Sequence, residues 1–237
     1  MDASDIRWFH TIDLGGGVVT AGEDDSPRKL TWLHLPADLR GKTVLDVGAW
    51  DGFFSFECER RGAERVVAVD PECWNPPAWG DRGWGTRQGF DFAHAALGSK
   101  VEPVELGSIE EIDTLGTFDV VLFLGVLYHL PDPLSLLEKV SAAARELLVL
   151  ETHADLQGLR RPAMAYYPGA EVDGDESNWW GPNPALLQAL LRGHGFERVD
   201  VVHRDPLARR VARAVRRGGR YRIGQGRVVV HAARATR

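Results

Sequence analysis

Thr43-Val44-Leu45-Asp46-Val47 is a short, mostly apolar run that stops at Gly48, and similar runs return at Arg65–Asp70, Phe118–Leu124 and Glu146–Glu151. Runs this short, rich in Val and Leu and bounded by turn residues, read as strands buried on both faces. Between them, Phe53–Arg61, Phe90–Leu97 and Pro133–Arg145 read as helices, and Val101–Glu105 adds a shorter strand. Parallel strands need crossovers of about a dozen residues or more, usually helical. The alternation therefore predicts a parallel sheet with helices on both sides.

The flanks complete this reading. Residues 1–40 hold the run Gly15-Gly16-Gly17, a polar stretch from Gly22 to Pro27, and Leu30–Leu35 before Pro36. They are expected to form a short N-terminal cap or lid, with residues 41–237 as the main domain. From Thr152 to Asn183 the alternation lapses, and Tyr166, Tyr167, Trp179 and Trp180 stand among turn residues. A loop of that length inside a compact domain is usually functional. Helical character returns over Pro184–His194, a sixth strand over Arg198–His203, a basic amphipathic helix over Asp205–Arg217 and a seventh strand over Gly224–Ala232. The fold class is α/β: a Rossmann-like, seven-stranded, mostly parallel, doubly wound sheet with an antiparallel last strand.

Composition narrows the setting. At 44% hydrophobic and 26% charged residues, the chain of 237 residues has the make-up of a globular protein with a core. No apolar run reaches the roughly 18 residues of a transmembrane helix. The acidic, polar start Met1–Asp5 lacks the features of a signal peptide, so a cytoplasmic protein without a membrane partner is expected. Cys58 and Cys73 have no metal spacing and read as reduced thiols. Net charge is −6, yet Arg204–Arg237 contains eleven Arg and one Asp, so it carries +10 against −16 elsewhere. Such a segment is either a solvated helix face or a contact for an anionic partner. The sequence sets no oligomeric state.

The turn Asp46-Val47-Gly48-Ala49-Trp50-Asp51-Gly52 follows the first strand. A glycine turn there lets backbone N–H groups approach a nucleotide-like ligand. Asp70 ends the next strand, where a carboxylate can accept ribose hydroxyls, and Pro71 follows it. Ligands of open α/β sheets lie at the carboxyl ends of the strands. That geometry adds Ser108 and Ile109 for an adenine edge, and Leu124 and Gly125 after the fourth long run. Asp46, Gly48, Ala49 and Trp50 complete the cofactor set.

These residues resemble the class I S-adenosylmethionine (SAM)-dependent methyltransferases. The stretch Gly125-Val126-Leu127-Tyr128-His129, then Pro133-Leu134, with Leu150-Glu151-Thr152 further on, resembles the tRNA wobble-uridine carboxymethyltransferase (CmoB-like) branch. The likeness covers about Lys42 to Glu151, with a weaker part at Phe9-His10 and Ile12-Asp13. It implies SAM as the cofactor, or carboxy-SAM, whose extra carboxylate that branch holds with a Lys before the domain, the Tyr matching Tyr128, and a distant Arg. Arg28 and Lys29 lie in the region of that Lys without aligning to it, and the larger N-terminal region that helps the branch bind tRNA has only about 40 residues to match it here. Ordinary SAM is therefore the expected form.

Methyl transfer needs alignment and, for some acceptors, removal of a proton. His129 can act as a base because histidine titrates near neutrality, or it can cap the turn before Pro131. Tyr128 can line the methyl site or pack under the cofactor. Glu151 and His153 share one side of a continuing strand and can orient a hydroxyl or amine. His10 can close over the site or simply pack. No third ligand joins Glu151 and His153, so no metal is expected. Trp74, Trp79, Trp84, Trp179 and Trp180 fall in expected loops, where they suit a flat or sugar-like organic substrate, or a stacked base.

Two functions from different classes of partner follow. The first is methylation of an oxygen or nitrogen on a small molecule of natural-product or sugar type. The second is tRNA modification at a wobble uridine, with the Arg cluster Arg209–Arg222 meeting phosphates. A SAM-binding protein without catalysis is a third, disfavoured by the polar exit of the Glu151 strand.

Overall fold

The computed structural model describes residues 2–75, 86–216 and 222–235. Its strands are β1 (Asp13–Gly15), β2 (Val18–Val19), β3 (Thr43–Val47), β4 (Arg65–Val69), β5 (Glu102–Pro103), β6 (Phe118–Leu124), β7 (Ala144–Ala154), β8 (Met164–Tyr166), β9 (Trp180–Pro182), β10 (Arg198–Arg204) and β11 (Gly226–Ala233). Its helices are α1 (Ser26–Leu33), α2 (Phe53–Arg60), α3 (Pro71–Trp74), α4 (Gln88–Leu97), α5 (Pro133–Ala143), α6 (Pro184–Gly193) and α7 (Leu207–Arg216). Seven strands form one mixed sheet in the order β10-β11-β7-β6-β3-β4-β5, with β1-β2 and β8-β9 as separate pairs.

The chain divides into two compact units, Met1–Leu122 and Phe123–Arg237. In the first, β3 pairs in parallel with β4, and β4 with β5. Val44, Leu45 and Val47 are almost wholly buried, as their unbroken apolar run requires. α2 packs against β3 and β4. The expected strand Val101–Glu105 keeps only Glu102 and Pro103 in the ladder; Pro103 has no N–H to donate and suits an edge.

In the second unit β11 runs antiparallel to both β7 and β10 and lies between them. The expected antiparallel ending is therefore present. The expected helix Pro133–Arg145 stops at Ala143 and passes straight into β7, because Ala144 turns extended (φ −87°, ψ 114°) and β7 starts two residues before Glu146. Residues 152–183 are not structureless: β7 continues to Ala154, and β8 pairs with β9. The strand rule missed this hairpin because its members are only three residues long.

α7 packs the reverse of the usual way. Arg210 is buried, while Leu207, Val211 and Val215 are 59%, 37% and 77% exposed. Arg213 and Arg209 reach Asp205 at 3.0 and 3.4 Å, and Arg210 Nη1 donates to the Ile223 carbonyl at 2.9 Å. Arg210 and Arg213 are turned inward, Arg213 onto the buried Asp205 carboxylate, while Arg209 and Arg216 stay exposed. Arg217 and Arg220, which the sequence joins to this cluster, lie outside the described residues.

Candidate active site

In the first unit the glycine turn, between β3 and α2, is held by the end of β4. Gly48 N and Ala49 N both donate to the Val69 carbonyl, at 2.8 and 3.1 Å. Gly48 has φ +83° and Gly52 has φ +87°, in the left-handed region that favours glycine. A Cβ on Gly52 would also stand 2.7 Å from the Phe56 and Phe90 rings. Ala49, by contrast, has no positive φ, which explains why alanine fits there. Trp50 takes φ +48°, with its N–H on Asp70 Oδ2 (2.9 Å) and its carbonyl accepting from Trp74 Nε1 (2.8 Å).

Asp70 is 3% exposed and caps α3, accepting from Cys73 N at 2.8 Å with Oδ1. Each carboxylate oxygen thus carries one backbone bond, and the Cys73 thiol also bonds the carboxylate. Burial raises Asp70 to about 6, against the two backbone donors. Burial also raises Asp46 to about 7, although Ser55 Oγ donates to it at 2.6 Å. Pro71 and Trp74 are buried in α3, so Trp74 is a packing residue rather than a loop aromatic. Ser108 caps a short helical turn, accepting from Glu110 N at 3.2 Å, and Ile109 is buried behind it.

The N-terminal segment is fastened to this turn. Asp51 Oδ2 accepts from Phe9 N at 2.7 Å and His10 N at 2.9 Å, and the Phe9 ring stacks on Trp50 with centroids 4.0 Å apart. Burial raises Asp51 to about 6. His10 is 3% exposed, its Nδ1 has no hydrogen-bond partner among the described residues, and burial lowers it to about 3. Lys29 forms an ion pair with Asp24 at 2.7 Å and sits about 6 Å from the Phe9 and Phe54 rings. Asp51 escaped the sequence reading because its role depends on a segment 41 residues away.

In the second unit Tyr128, His129, Glu151 and His153 come together. Gly125 N donates to the Glu151 carbonyl at 2.9 Å, with Gly125 at φ +77° and Leu124 buried beside it. A Cβ on Gly125 would stand 3.8 Å from Arg227 Nη2 and 3.9 Å from both Glu151 Oε2 and Tyr128 Oη. Arg227 clamps the buried Glu151 carboxylate with two donors, and its guanidinium lies 4.9 Å from the Tyr128 ring centre. Burial works against the Arg227 charge, but Glu151 and then Tyr128 together outweigh it and hold Arg227 well above its ordinary range. The Tyr128 ring lies 4.1 Å from that of His129 and 6.1 Å from that of His153.

Both histidines are neutral near pH 7. Burial lowers His129 to about 4, and its Nδ1 meets the Ser177 carbonyl at 3.1 Å and Ser177 Oγ at 2.9 Å. Burial, then Arg227, lowers His153 to about 3, and its Nε2 meets Tyr167 Oη at 3.2 Å. Trp179 N donates to the Tyr128 carbonyl, and Trp180 Nε1 to the Leu130 carbonyl. Arg227 and Asp155 were absent from the sequence reading, which held Tyr167 only as one aromatic of the long loop. Arg227 carried one signal, a lone Arg opening the apolar run Val228-Val229-Val230. Trp79 and Trp84 lie outside the described residues.

A parallel sheet closed by an antiparallel strand, with a glycine turn leading to a buried strand-end carboxylate, defines a class I SAM-dependent methyltransferase. The methyltransferase-domain family matches residues 25–214, and the chain belongs to that family. A tRNA U34 carboxymethyltransferase from Colwellia psychrerythraea is 30% identical over 171 residues, covering 71% of this chain and 49% of the relative. Another, from Actinobacillus succinogenes, is 34% identical over 180 residues with the same coverage. The chain spans about half the length of these curated relatives. Among solved structures, the N-terminal domain of EvdMO1, with S-adenosylhomocysteine (SAH) and D-fucose, has a TM-score of 0.67 at 19% identity, covering 98% of this chain and 94% of that one. Magnesium protoporphyrin IX methyltransferase from Synechocystis PCC 6803, with bound SAM, has a TM-score of 0.51 at 18% identity, covering 88% and 77%. SAM is the cofactor of the family, and the turn fits it: the Asp70 carboxylate, with three of about four acceptor sites used, keeps accepting capacity. Among the described residues, no helix is long and apolar enough to cross a membrane.

Proposed function

We propose that this methyltransferase acts on an oxygen or nitrogen of a small organic molecule, of natural-product or sugar type, in the cytoplasm. The observation that carries this reading is the second unit's cluster of two neutral imidazoles and the Tyr128 ring beside a carboxylate and a guanidinium paired with each other. Neutral acceptors of hydrogen bonds suit an uncharged hydroxyl or amine, which must lose a proton as it is methylated.

SAM supplies a methyl group already activated on a sulfonium sulfur. Asp70 accepts from the ribose hydroxyls, with Asp46, Gly48, Ala49, Trp50 and Pro71 shaping the turn. Ser108 and Ile109 border the adenine, and Leu124 and Gly125 support the methionine part. Tyr128 lines the methyl site, with Glu151 keeping Arg227 in place behind it. His129 and His153 are the candidate proton acceptors. Residues 1–40, including His10, serve as the lid of the domain at 41–237, and residues 152–183 as its substrate loop.

The second reading is carboxymethylation of a tRNA wobble uridine, favoured by the names of the curated relatives and by an Arg placed over Tyr128. Against it, the Arg227 charge is already balanced by Glu151, which lessens its pull on a cofactor carboxylate. Incubation with SAM and a panel of sugars, phenols and amines, followed by mass spectrometry, tests the first reading. Labelling of tRNA alone, with carboxy-SAM bound more tightly than SAM, would replace it by the second.

A further inference from the structure

Tyr167, Asp155, Gln225 and His153 form a buried chain of hydrogen bonds. Tyr167 Oη donates to Asp155 Oδ2 at 2.8 Å and accepts from Gln225 Nε2 at 3.3 Å. A phenol has one hydrogen, and Asp155 takes it. The 3.2 Å contact between His153 Nε2 and Tyr167 Oη therefore places a hydrogen on Nε2. A neutral imidazole has only one N–H, so Nδ1 carries the lone pair.

The surroundings are shaped to this chain. Asp155 is 1% exposed, and its Oδ1 accepts from Leu156 N at 2.6 Å, with Leu156 at φ +51°. A Cβ on Gly181 would stand 2.6 Å from Tyr167 Oη and 2.9 Å from Asp155 Cβ. A Cβ on Gly224 would stand 2.5 Å from Asp155 Oδ1. Glycines from two separate segments thus admit the two groups, although a buried polar network costs more than apolar filling unless every member is satisfied.

We propose that Tyr167, Asp155 and Gln225 are positioning residues that hold His153 as its Nε2–H tautomer, so that Nδ1 takes the proton of the acceptor. This rests on the small-molecule reading above. The acceptor's oxygen or nitrogen bonds to the methyl carbon, and the carbon–sulfur bond breaks with its electron pair left on sulfur. The acceptor's proton passes to Nδ1, and the sulfonium charge reappears on the imidazolium. The Asp155 carboxylate stabilises that cation through Tyr167. Burial, Arg227, Arg213 and His129 disfavour the cation and Asp205 favours it, so the proton is readily given up after transfer.

Nitrogen-15 NMR of histidine-labelled protein tests the tautomer without any substrate. The expected spectrum of the unmodified chain shows His153 Nδ1 as pyridine-like and Nε2 as pyrrole-like. In Tyr167→Phe the two signals should move toward an average of both tautomers. An Nδ1–H form in the unmodified chain overturns the proposal, as do signals that Tyr167→Phe leaves in place. With an acceptor in hand, Asp155→Asn should keep the tautomer but lower kcat about tenfold at unchanged KM for SAM. Unchanged kcat would overturn the role in proton transfer. Failure to find any small-molecule acceptor would defeat the functional reading while the NMR result still stands.

Discussion

Asp70 holds two backbone N–H groups and, in the proposed site, would accept from the ribose hydroxyls, so its ionised form is the one expected to bind. Asp70→Ala should weaken SAM binding by about 1–3 kcal/mol, the scale of a lost buried hydrogen-bond partner, as read by calorimetry. With its pKa raised to about 6, Asp70 should also make SAM affinity fall as pH drops through 6, and Asp70→Asn should remove that dependence. The linkage to folding has the opposite sign. Asp46, Asp51 and Asp70 are raised from 3.8 to about 7, 6 and 6, so the folded chain binds protons more readily than the unfolded one. Their contribution to stability is full below about pH 4 and is lost as pH rises through 6–7, which denaturation of the cofactor-free protein at several pH values would reveal. The placing of Asp70 was legible because an acid that closes an apolar run falls at the carboxyl end of its strand. Asp51 and Tyr167 were not, since their partners lie 41 and 12–58 residues away and only folding brings them near.

Elements follow the same division. The long strands were legible, being continuous apolar runs with turn residues beyond. The β8-β9 pair was not, because periodicity needs more residues than its strands have, and β5 was legible as a strand but is shorter than the expected Val101–Glu105. α7 was legible as amphipathic, but the pattern does not tell which face is inside: Asp205 reverses the usual choice. Val215→Ser should therefore change stability by less than about 0.5 kcal/mol in urea titration. Between β7 and β11 the effect is large. Arg227→Met would leave the Glu151 carboxylate buried and unpaired, at a cost of about 3–5 kcal/mol. Adding Glu151→Gln should recover much of that loss; a double variant no more stable than the single one would show that the charge is not its cause.

For the whole molecule, the +10 of residues 204–237 first suggests an open surface for phosphates. In the structure many of these guanidiniums already have internal partners. Arg204 bonds Gln157, Arg209 and Arg213 pair with Asp205, Arg227 with Glu151, and Arg234 donates to the Ala144 and Ser141 carbonyls. Binding to tRNA is accordingly expected to be weak, with a shallow salt dependence in a shift assay; a slope of many released ions would favour the RNA reading. The position of β11 has one more consequence. It comes after β7 and β10 in the chain yet separates them in the sheet. On the ribosome, both strands must wait with bare edges until residues 226–233 emerge, and Glu151 waits with them for its cation. Nascent chains stalled before Gly226 are therefore the ones expected to recruit chaperones, and those released just after Ala233 the first to become resistant to protease.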